Sequence, residues 1–378
     1  MLFFMDWTRA FHSFKIISAY ETMTPEKKTI ALLFGGRSAE HEISLLSAAS
    51  IFNNLDKTKF QIRSIFIDKK GNWRVVESPL LSPEKLNKGP SATFLPWAED
   101  HSSPLIEADI YFPILHGPYG EDGTIQGFLE MADVPFVGAS VMDSAIAMDK
   151  AMTKIILKSK NLPVARHITI MEKDWKENRE NILGRIRKEL PLPFFVKPAC
   201  LGSSVGISKV KENNQIPTAI DEAFRYDRKI LAEEGIQGRE LECSVLGNDD
   251  PEASLPGEII PFREFYDYDD KYLEGKTRFG IPAELTPSQT KEIQWLSVEA
   301  FKAIGCSGMA RVDFLMDGKT EKIYVSEINT IPGFTEISMY PKLWDVSGLP
   351  FPQLLERLIQ LGFERHEQKK RDREDYSR

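Results

Sequence analysis

MARVDFLMDGKTEKIYVSEINTIPGF, residues 309–334, holds two alternating segments around an Asp317-Gly318 turn. Residues i and i+2 of a strand share a face. Arg311 and Asp313 therefore share one face, and Glu327 and Asn329 share one face of the partner strand. Val312 and Phe314 point the other way, as do Ser326 and Ile328. A hairpin sets the two polar faces side by side, so two carboxylates, an amide and a guanidinium converge. Hard oxygen donors of this kind suit Mg²⁺, which binds through one or two carboxylates plus substrate phosphates. Arg311 suits an oxyanion that develops during reaction. An exposed, salt-bridged hairpin face would show the same pattern.

Upstream, PFFVKP (193–198), the loop ACLGSSVG (199–206) and ISKV (207–210) read as two strands joined by a Gly/Ser turn. Glycines let backbone N–H groups approach phosphate oxygens. Lys197 adds a cation and Ser203 and Ser204 add hydroxyls, although a plain flexible turn fits equally. No Gly-Lys-Ser/Thr tripeptide opens a helix, so this is not a P-loop. KILAEEGIQGRELECSVL (229–246) reads as a strand, a polar hinge and a second strand. Residues 263–284 are polar, aromatic and long for a connection, which marks a functional lid. A helix is expected over 286–304.

The first part of the chain alternates strands with helices. KTIALLFGG (28–36), QIRSIFI (61–67) and ADIYFPILHG (108–117) are buried strands, and SAEHEISLLSAASIFNNL (38–55) and TIQGFLEMAD (124–133) are helices. That order implies a parallel sheet with its chemistry at the carboxyl ends of the strands. Residues 73–107 read as a peripheral insertion, and SAIAMDKAMTKIILKSKN (144–161) as one helix stopped by Pro163. After the first strand, Gly35-Gly36 opens a helix that carries Glu40 and Glu42. Acids at that position favour a cationic ligand such as an amine, or simply stabilise the helix start. His116 and the acids Glu121 and Asp122 sit among glycines after the third strand, in a site-like loop.

Composition bounds the rest. In 378 residues, 48 Lys and Arg against 56 Asp and Glu give a net charge of −8. A duplex nucleic-acid binder needs a broad basic face, whereas a nucleotide needs only a few local cations. No apolar run reaches the roughly 18 residues of a membrane span. Cys200, Cys243 and Cys306 have neither zinc nor disulfide-framework spacing, so a reducing cytoplasm is expected. Asp6, Arg9 and His12 interrupt the apolar start, which argues against a signal peptide. Residues 1–27 read as an extension and 365–378 as a solvated, charged helix end.

In this order, GGRSAEHEIS, HGPYGEDGTIQG, MDKAMTK, VKPACLGSSVGISKV, FYDYDDKY, ARVDFLM and SEINTIPGFTEIS resemble the D-alanine–D-alanine ligases of the ATP-grasp superfamily. The resemblance covers roughly residues 29–362. It implies an α/β, three-domain ATP-grasp architecture. An N-terminal parallel-sheet domain (28–143) would bind the first D-alanine, and two α+β domains (144–232 and 233–364) would sandwich ATP. It further implies that Lys150, Lys197, Ser204, Glu233, Gly235, Ile236, Glu240 and Lys271 hold ATP. Asp313, Glu327 and Asn329 would bind two Mg²⁺, with Mn²⁺ as a substitute and K⁺ as a further ion. Glu42 would receive the ammonium of the first D-alanine, near His116, and join Ser203 and Tyr272 in closing the lid. Arg311 and the Gly333 backbone would steady the tetrahedral intermediate, and Ser338 and Met339 would line the second D-alanine. Tyr272 favours a dipeptide over an ester product, and Gly235-Ile236 stands where a bulkier residue often lies beside adenine. A cytoplasmic homodimer acting on D-alanine and ATP follows, with no nucleic acid or membrane partner. The competing readings are another ATP-grasp carboxylate–amine ligase and a nucleotide-binding regulator without catalysis. Cys200, beside the phosphate loop, is expected to be an inert thiol.

Overall fold

The computed structural model describes residues 27–92, 107–202, 205–260 and 277–376, with side chains to residue 371. The strands form three sheets. In the first, β1 (Lys28–Gly35) runs parallel to β2 (Phe60–Ile67) and to β4 (Ile110–Ile114). Ile30 to Gly35 are buried, as strands covered on both faces must be. The helix His41–Asn54 makes the β1–β2 crossover. One expectation is corrected here. Residues read as the start of an insertion form β3 (Trp73–Val76), an antiparallel edge strand on β2. The tight Asp68–Asn72 turn makes this possible, because Asp68 Oδ1 accepts from the backbone N–H of Lys70 (2.8 Å) and Asn72 (2.9 Å).

The second sheet is antiparallel, with the order β5-β8-β6-β7: β5 (His167–Met171), β6 (Phe194–Pro198), β7 (Ser208–Val210) and β8 (Lys229–Glu234). The helix Glu172–Glu189 covers it through Trp175, Leu183 and Ile186. The third sheet is also antiparallel. Its strands are β9 (Gly238–Gly247), β10 (Glu252–Ala253), β11 (Gly257–Ile260), β12 (Arg278–Gly280), β13 (Gly308–Asp317) and β14 (Ile323–Asn329). The helix Pro287–Ala303 packs on it, started by a Thr286–Gln289 capping box. β12 lies inside the stretch read as a lid, so residues 278–280 are a sheet edge. The lid residues 263–276 and the extension before Lys27 lie outside the described residues.

The single helix expected over 144–161 is two, Val141–Met148 and Lys150–Ser159. Asp149 separates them with extended backbone, and its carboxylate accepts from the N–H of Ala151 and Met152 while pairing with Lys229. Ala147 and Leu157 of these helices join Val245, Phe301 and Val325 in the core of the third sheet. The second unit's opening helices thus pack on the third sheet, and β8 runs across the division drawn at 232/233.

The chain then returns to its beginning. Phe334, Tyr340 and Trp344 share a core with Ile30, Phe34 and Phe112, as do Leu354, Leu355 and Leu358. The final helix, Phe351–Tyr376, continues through the residues read as a charged end. Its Arg365 is half-buried and donates to Phe136 O (2.9 Å), Ser307 Oγ (3.0 Å) and Gly138 O. Burial brings the Arg365 pKa down to about 10. No described helix is long and apolar enough to cross a membrane.

Candidate active site

The carboxyl ends of β1 and β4, the loop after β6, the start of the helix Lys150–Ser159 and the polar face of β13–β14 meet at one cleft. Its lining includes Glu40, His116, Glu121, Lys150, Gly202, Arg311, Glu327, Asn329 and Gly333. A neighbouring chamber of ≈ 650 Å³ shares Arg311, Glu327 and Gly333 and adds Glu240, Asp313, Ser338 and Met339.

The hairpin face assembles as the alternation predicts. Arg311 pairs across the ladder with Asn329, and Asp313 with Glu327. Arg311 grips Asp313 with two hydrogen bonds, Nε to Oδ1 and Nη2 to Oδ2, both 2.7 Å. Asn329 Nδ2 donates to Asp313 Oδ2 at 2.9 Å. Arg311 Nε also lies 3.2 Å from Glu242 Oε2. Glu242, which the sequence reading passed over, stands opposite Asp313 on β9. Burial works against the Arg311 charge, but Asp313 and Glu242 outweigh it and hold its pKa above the usual value. One detail departs from strict alternation. The register slips after Asp313, so Phe314 faces Val325 and Ser326 is an extra residue. Ser326 therefore joins Glu327 on the cleft side instead of pointing away.

The cations come from the helix Lys150–Ser159 and from β6. Lys150 Nζ lies 3.4 Å from Glu327 Oε2 and donates to Leu201 O at 2.7 Å. Lys197 Nζ lies 3.0 Å from Glu233 Oε2. Lys154, also unforeseen, is 0% exposed and places Nζ 3.1 Å from the same oxygen. Desolvation pushes the Glu233 pKa up, but Lys154 and Lys197 together outweigh it and hold the carboxyl below its usual range. Glu233 was expected to hold ATP; its carboxylate is instead turned inward onto these two ammoniums. Gly235 N donates to Pro193 O (3.2 Å), and a Cβ at Gly235 would come within 2.7 Å of that oxygen. The β8–β9 hinge at Gly235-Ile236 is thus too close to the neighbouring backbone for a side chain at its first residue.

On the opposite wall, the structure corrects the choice of acid. Glu42 is 63% exposed and pairs with Lys69 at 3.0 Å, away from the cleft. Glu40 lines the cleft instead. Its position is set by Ser38 Oγ, which accepts from Glu40 N at 3.2 Å and donates to His116 O at 2.6 Å. A Cβ on Gly117 would lie 2.6 Å from Glu40 Oε2, and one on Gly202 would lie 3.3 Å away. Two glycines from separate loops therefore make room for this carboxylate. The physical reason for the exchange is phase. Glu40 sits at the N-cap and Glu42 in the first turn, about 200° apart around a helix axis.

His116 is buried, and Nδ1 lies 3.1 Å from Ile331 O while Nε2 lies 3.0 Å from Ser47 Oγ. A carbonyl only accepts, so Nδ1 carries the proton. Ser47 Oγ also accepts from Phe334 N at 3.2 Å. His116 and Ser47 thereby fix the 331–334 loop and the place of the Gly333 backbone. Ser338 stands at the N-cap position of the helix Met339–Val346, and its Oγ accepts from Thr335 N at 3.0 Å instead of from the helix. Ser203, Ser204, Lys271 and Tyr272 lie outside the described residues. All three cysteines are free. Burial, with Asp149 and Asp227 nearby, pushes the Cys200 thiol up to about 11, which matches an inert group.

A parallel-sheet unit and two antiparallel sheets that meet at one cleft, where Lys150 faces Glu327, make up the architecture of an ATP-grasp enzyme. Comparison with known proteins narrows the class. The model for the D-ala D-ala ligase N-terminus matches residues 29–139, and that for the D-ala D-ala ligase C-terminus matches 156–360. The D-alanine–D-alanine ligase of Natranaerobius thermophilus is 48% identical over 362 residues, covering 93% of this chain and 99% of the relative. That of Solibacter usitatus is 49% identical over 343 residues, covering 91% and 98%. The solved D-alanine-D-alanine ligase from Coxiella burnetii superposes with a TM-score of 0.81 at 41% identity, covering 93% of this chain and 99% of that one. The VanG D-Ala:D-Ser ligase from Enterococcus faecalis gives 0.79 at 36%, covering 89% and 100%. The chain belongs to the D-alanine–D-alanine ligase family.

Proposed function

We propose that this chain joins two D-alanines into D-alanyl-D-alanine at the expense of ATP, supplying a peptidoglycan precursor. One observation carries the reading. Glu40, an acid suited to an ammonium, shares a cleft with Lys150, Arg311, Glu327 and Asn329, groups suited to phosphates and their counter-ion.

Among the described residues no three His, Cys, Asp or Glu side chains gather around one point. The donor set is two cross-strand carboxylates, Asp313 and Glu327, plus the Asn329 amide. That set fits Mg²⁺, whose shell substrate phosphates complete. Bound there, one or two Mg²⁺ (or Mn²⁺) would neutralise charge on the phosphates.

The residues then divide the work. Glu40 holds the first D-alanine by its ammonium. A carboxylate oxygen of that D-alanine bonds to the γ-phosphorus as the bond to the β-phosphate oxygen breaks, giving D-alanyl phosphate and ADP. Like charges meet in this step, and Lys150, Lys197 and Arg311 lower its barrier by screening them. The amine of the second D-alanine then bonds to the acyl carbon. The Gly333 N–H and Arg311 stabilise the oxyanion; the Asp313 grip uses Nε and Nη2 of Arg311 and leaves the Nη1 hydrogens for it. The C–O bond breaks, phosphate leaves, and the amine proton passes to phosphate or water. Lys271 would reach a phosphate from the lid. Tyr272 and Ser203 would close it over Glu40, in the role first assigned to Glu42, and exclude water from the acyl phosphate. Ser204 and the 235–240 segment would hold the nucleotide, and Met339 would line the second D-alanine. K⁺ activation, a homodimer and a cytoplasmic setting belong to the same proposal.

D-alanine labelled with ¹⁸O in its carboxylate tests the route. Released phosphate should carry one label from the first substrate. Unlabelled phosphate accompanying dipeptide would rule the acyl phosphate out.

A further inference from the structure

From the helix Lys150–Ser159, Lys154 touches both antiparallel sheets at the back of the cleft, Glu233 on one and Ser326 on the other. It lies one turn after Lys150 on the helix Lys150–Ser159 and is fully buried. On one side Nζ meets Glu233 Oε2 at 3.1 Å, where Lys197 also binds at 3.0 Å. On the other side it donates to Ser326 O at 3.2 Å. Ser326 is the extra residue of the β14 bulge, immediately before Glu327. A bulge re-aims the side chain that follows it and leaves its own backbone outside the ladder. Lys154 bonds to that backbone. Burying an ammonium is costly unless it is paired and hydrogen-bonded, and apolar side chains would fill the same space without that penalty. Desolvation indeed lowers the Lys154 pKa despite Glu233.

We infer that Lys154 is a positioning residue for the nucleotide, resting on the ATP-dependent reading above. It shares Glu233 with Lys197, so that Lys197 does not have the carboxylate to itself, and it anchors the bulge that aims Glu327. Without it, Lys197 would be drawn more tightly to Glu233 and Glu327 would lose its fixed direction, so both walls of the phosphate site would shift.

Calorimetric titration with Mg·ADP measures this independently of turnover. Lys154→Met should weaken Mg·ADP about tenfold, the scale of one buried charge-assisted hydrogen bond. The KM for D-alanine should hold, because Glu40 lies on the other wall. Lys154→Gln keeps a donor for Ser326 O and should lose less; it also serves if the Met variant does not fold. A purely structural role predicts a lower melting temperature and fewer binding-competent molecules with unchanged affinity. Wild-type Mg·ADP affinity in folded Lys154→Met, or in Lys154→Gln where the Met variant does not fold, overturns the inference. The ligase reading fails separately, if wild-type protein binds Mg·ADP but releases no phosphate with D-alanine.

Discussion

Glu40 carries its carboxylate between Gly117 and Gly202, in space that any larger residue at those positions would take. Glu42, two residues on, is exposed and holds only Lys69. Surface pairs of that kind contribute little. Glu40→Gln should therefore cut D-alanine-dependent phosphate release by roughly 10- to 100-fold, as expected for losing a charge-assisted hydrogen bond to the ammonium. Glu42→Gln should stay within about twofold of wild type on the same grounds of exposure. Steady-state kinetics on both variants checks this, and a large loss from Glu42→Gln with a mild one from Glu40→Gln would reverse the assignment. Residue identity was legible where a strict period governs, as at Arg311, Asp313, Glu327 and Asn329. It was not legible at Glu40, because the sequence does not say which of two acids on opposite sides of a helix start faces the cleft. Glu242 and Lys154 escaped for another reason: their partners, Arg311 and Glu233, are 69 and 79 residues away in sequence.

Elements with a clear apolar period were legible: β1, β4, β6, the β13–β14 hairpin and the helix Pro287–Ala303 all lie where the pattern puts them. Polar elements were not. The helix Glu172–Glu189 buries only three residues and is interrupted at Asn178 (φ −133°, ψ 37°), so it gives almost no periodic signal. The break at Asp149 was hidden by the continuous run of good helix formers around it. Asp149 starts the helix that carries Lys150 and Lys154, accepting from Ala151 N and Met152 N at 3.1 Å each. Asp149→Ala should lower the unfolding free energy by about 1–2 kcal/mol, the usual cost of losing a cap. It should also raise the KM for ATP, since Lys150 is the first residue of that helix. Urea denaturation alongside ATP kinetics tests both, and an unchanged midpoint would show that the cap is not what holds the helix start.

At the scale of the molecule, the three units are bound through their ends. The C-terminal helices complete the core of the first sheet, and Arg365 ties Phe136 and Gly138 to Ser307. This closure was invisible in a sequence stretch that reads as mixed charge. It places the Glu40 wall and the Arg311 wall on one scaffold, so that an acid suited to an amine and cations suited to phosphates face a single cleft. The net charge of −8 is a property of the whole chain, and says nothing against the few cations gathered there. The most direct measurement is phosphate release by the purified protein with ATP and Mg²⁺, run in parallel with D-alanine, L-alanine and D-lactate. Release with D-alanine, accompanied by D-alanyl-D-alanine in equal amount and by little activity with the other two, is the predicted result. Tight ATP binding with no phosphate release from D-alanine would contradict it.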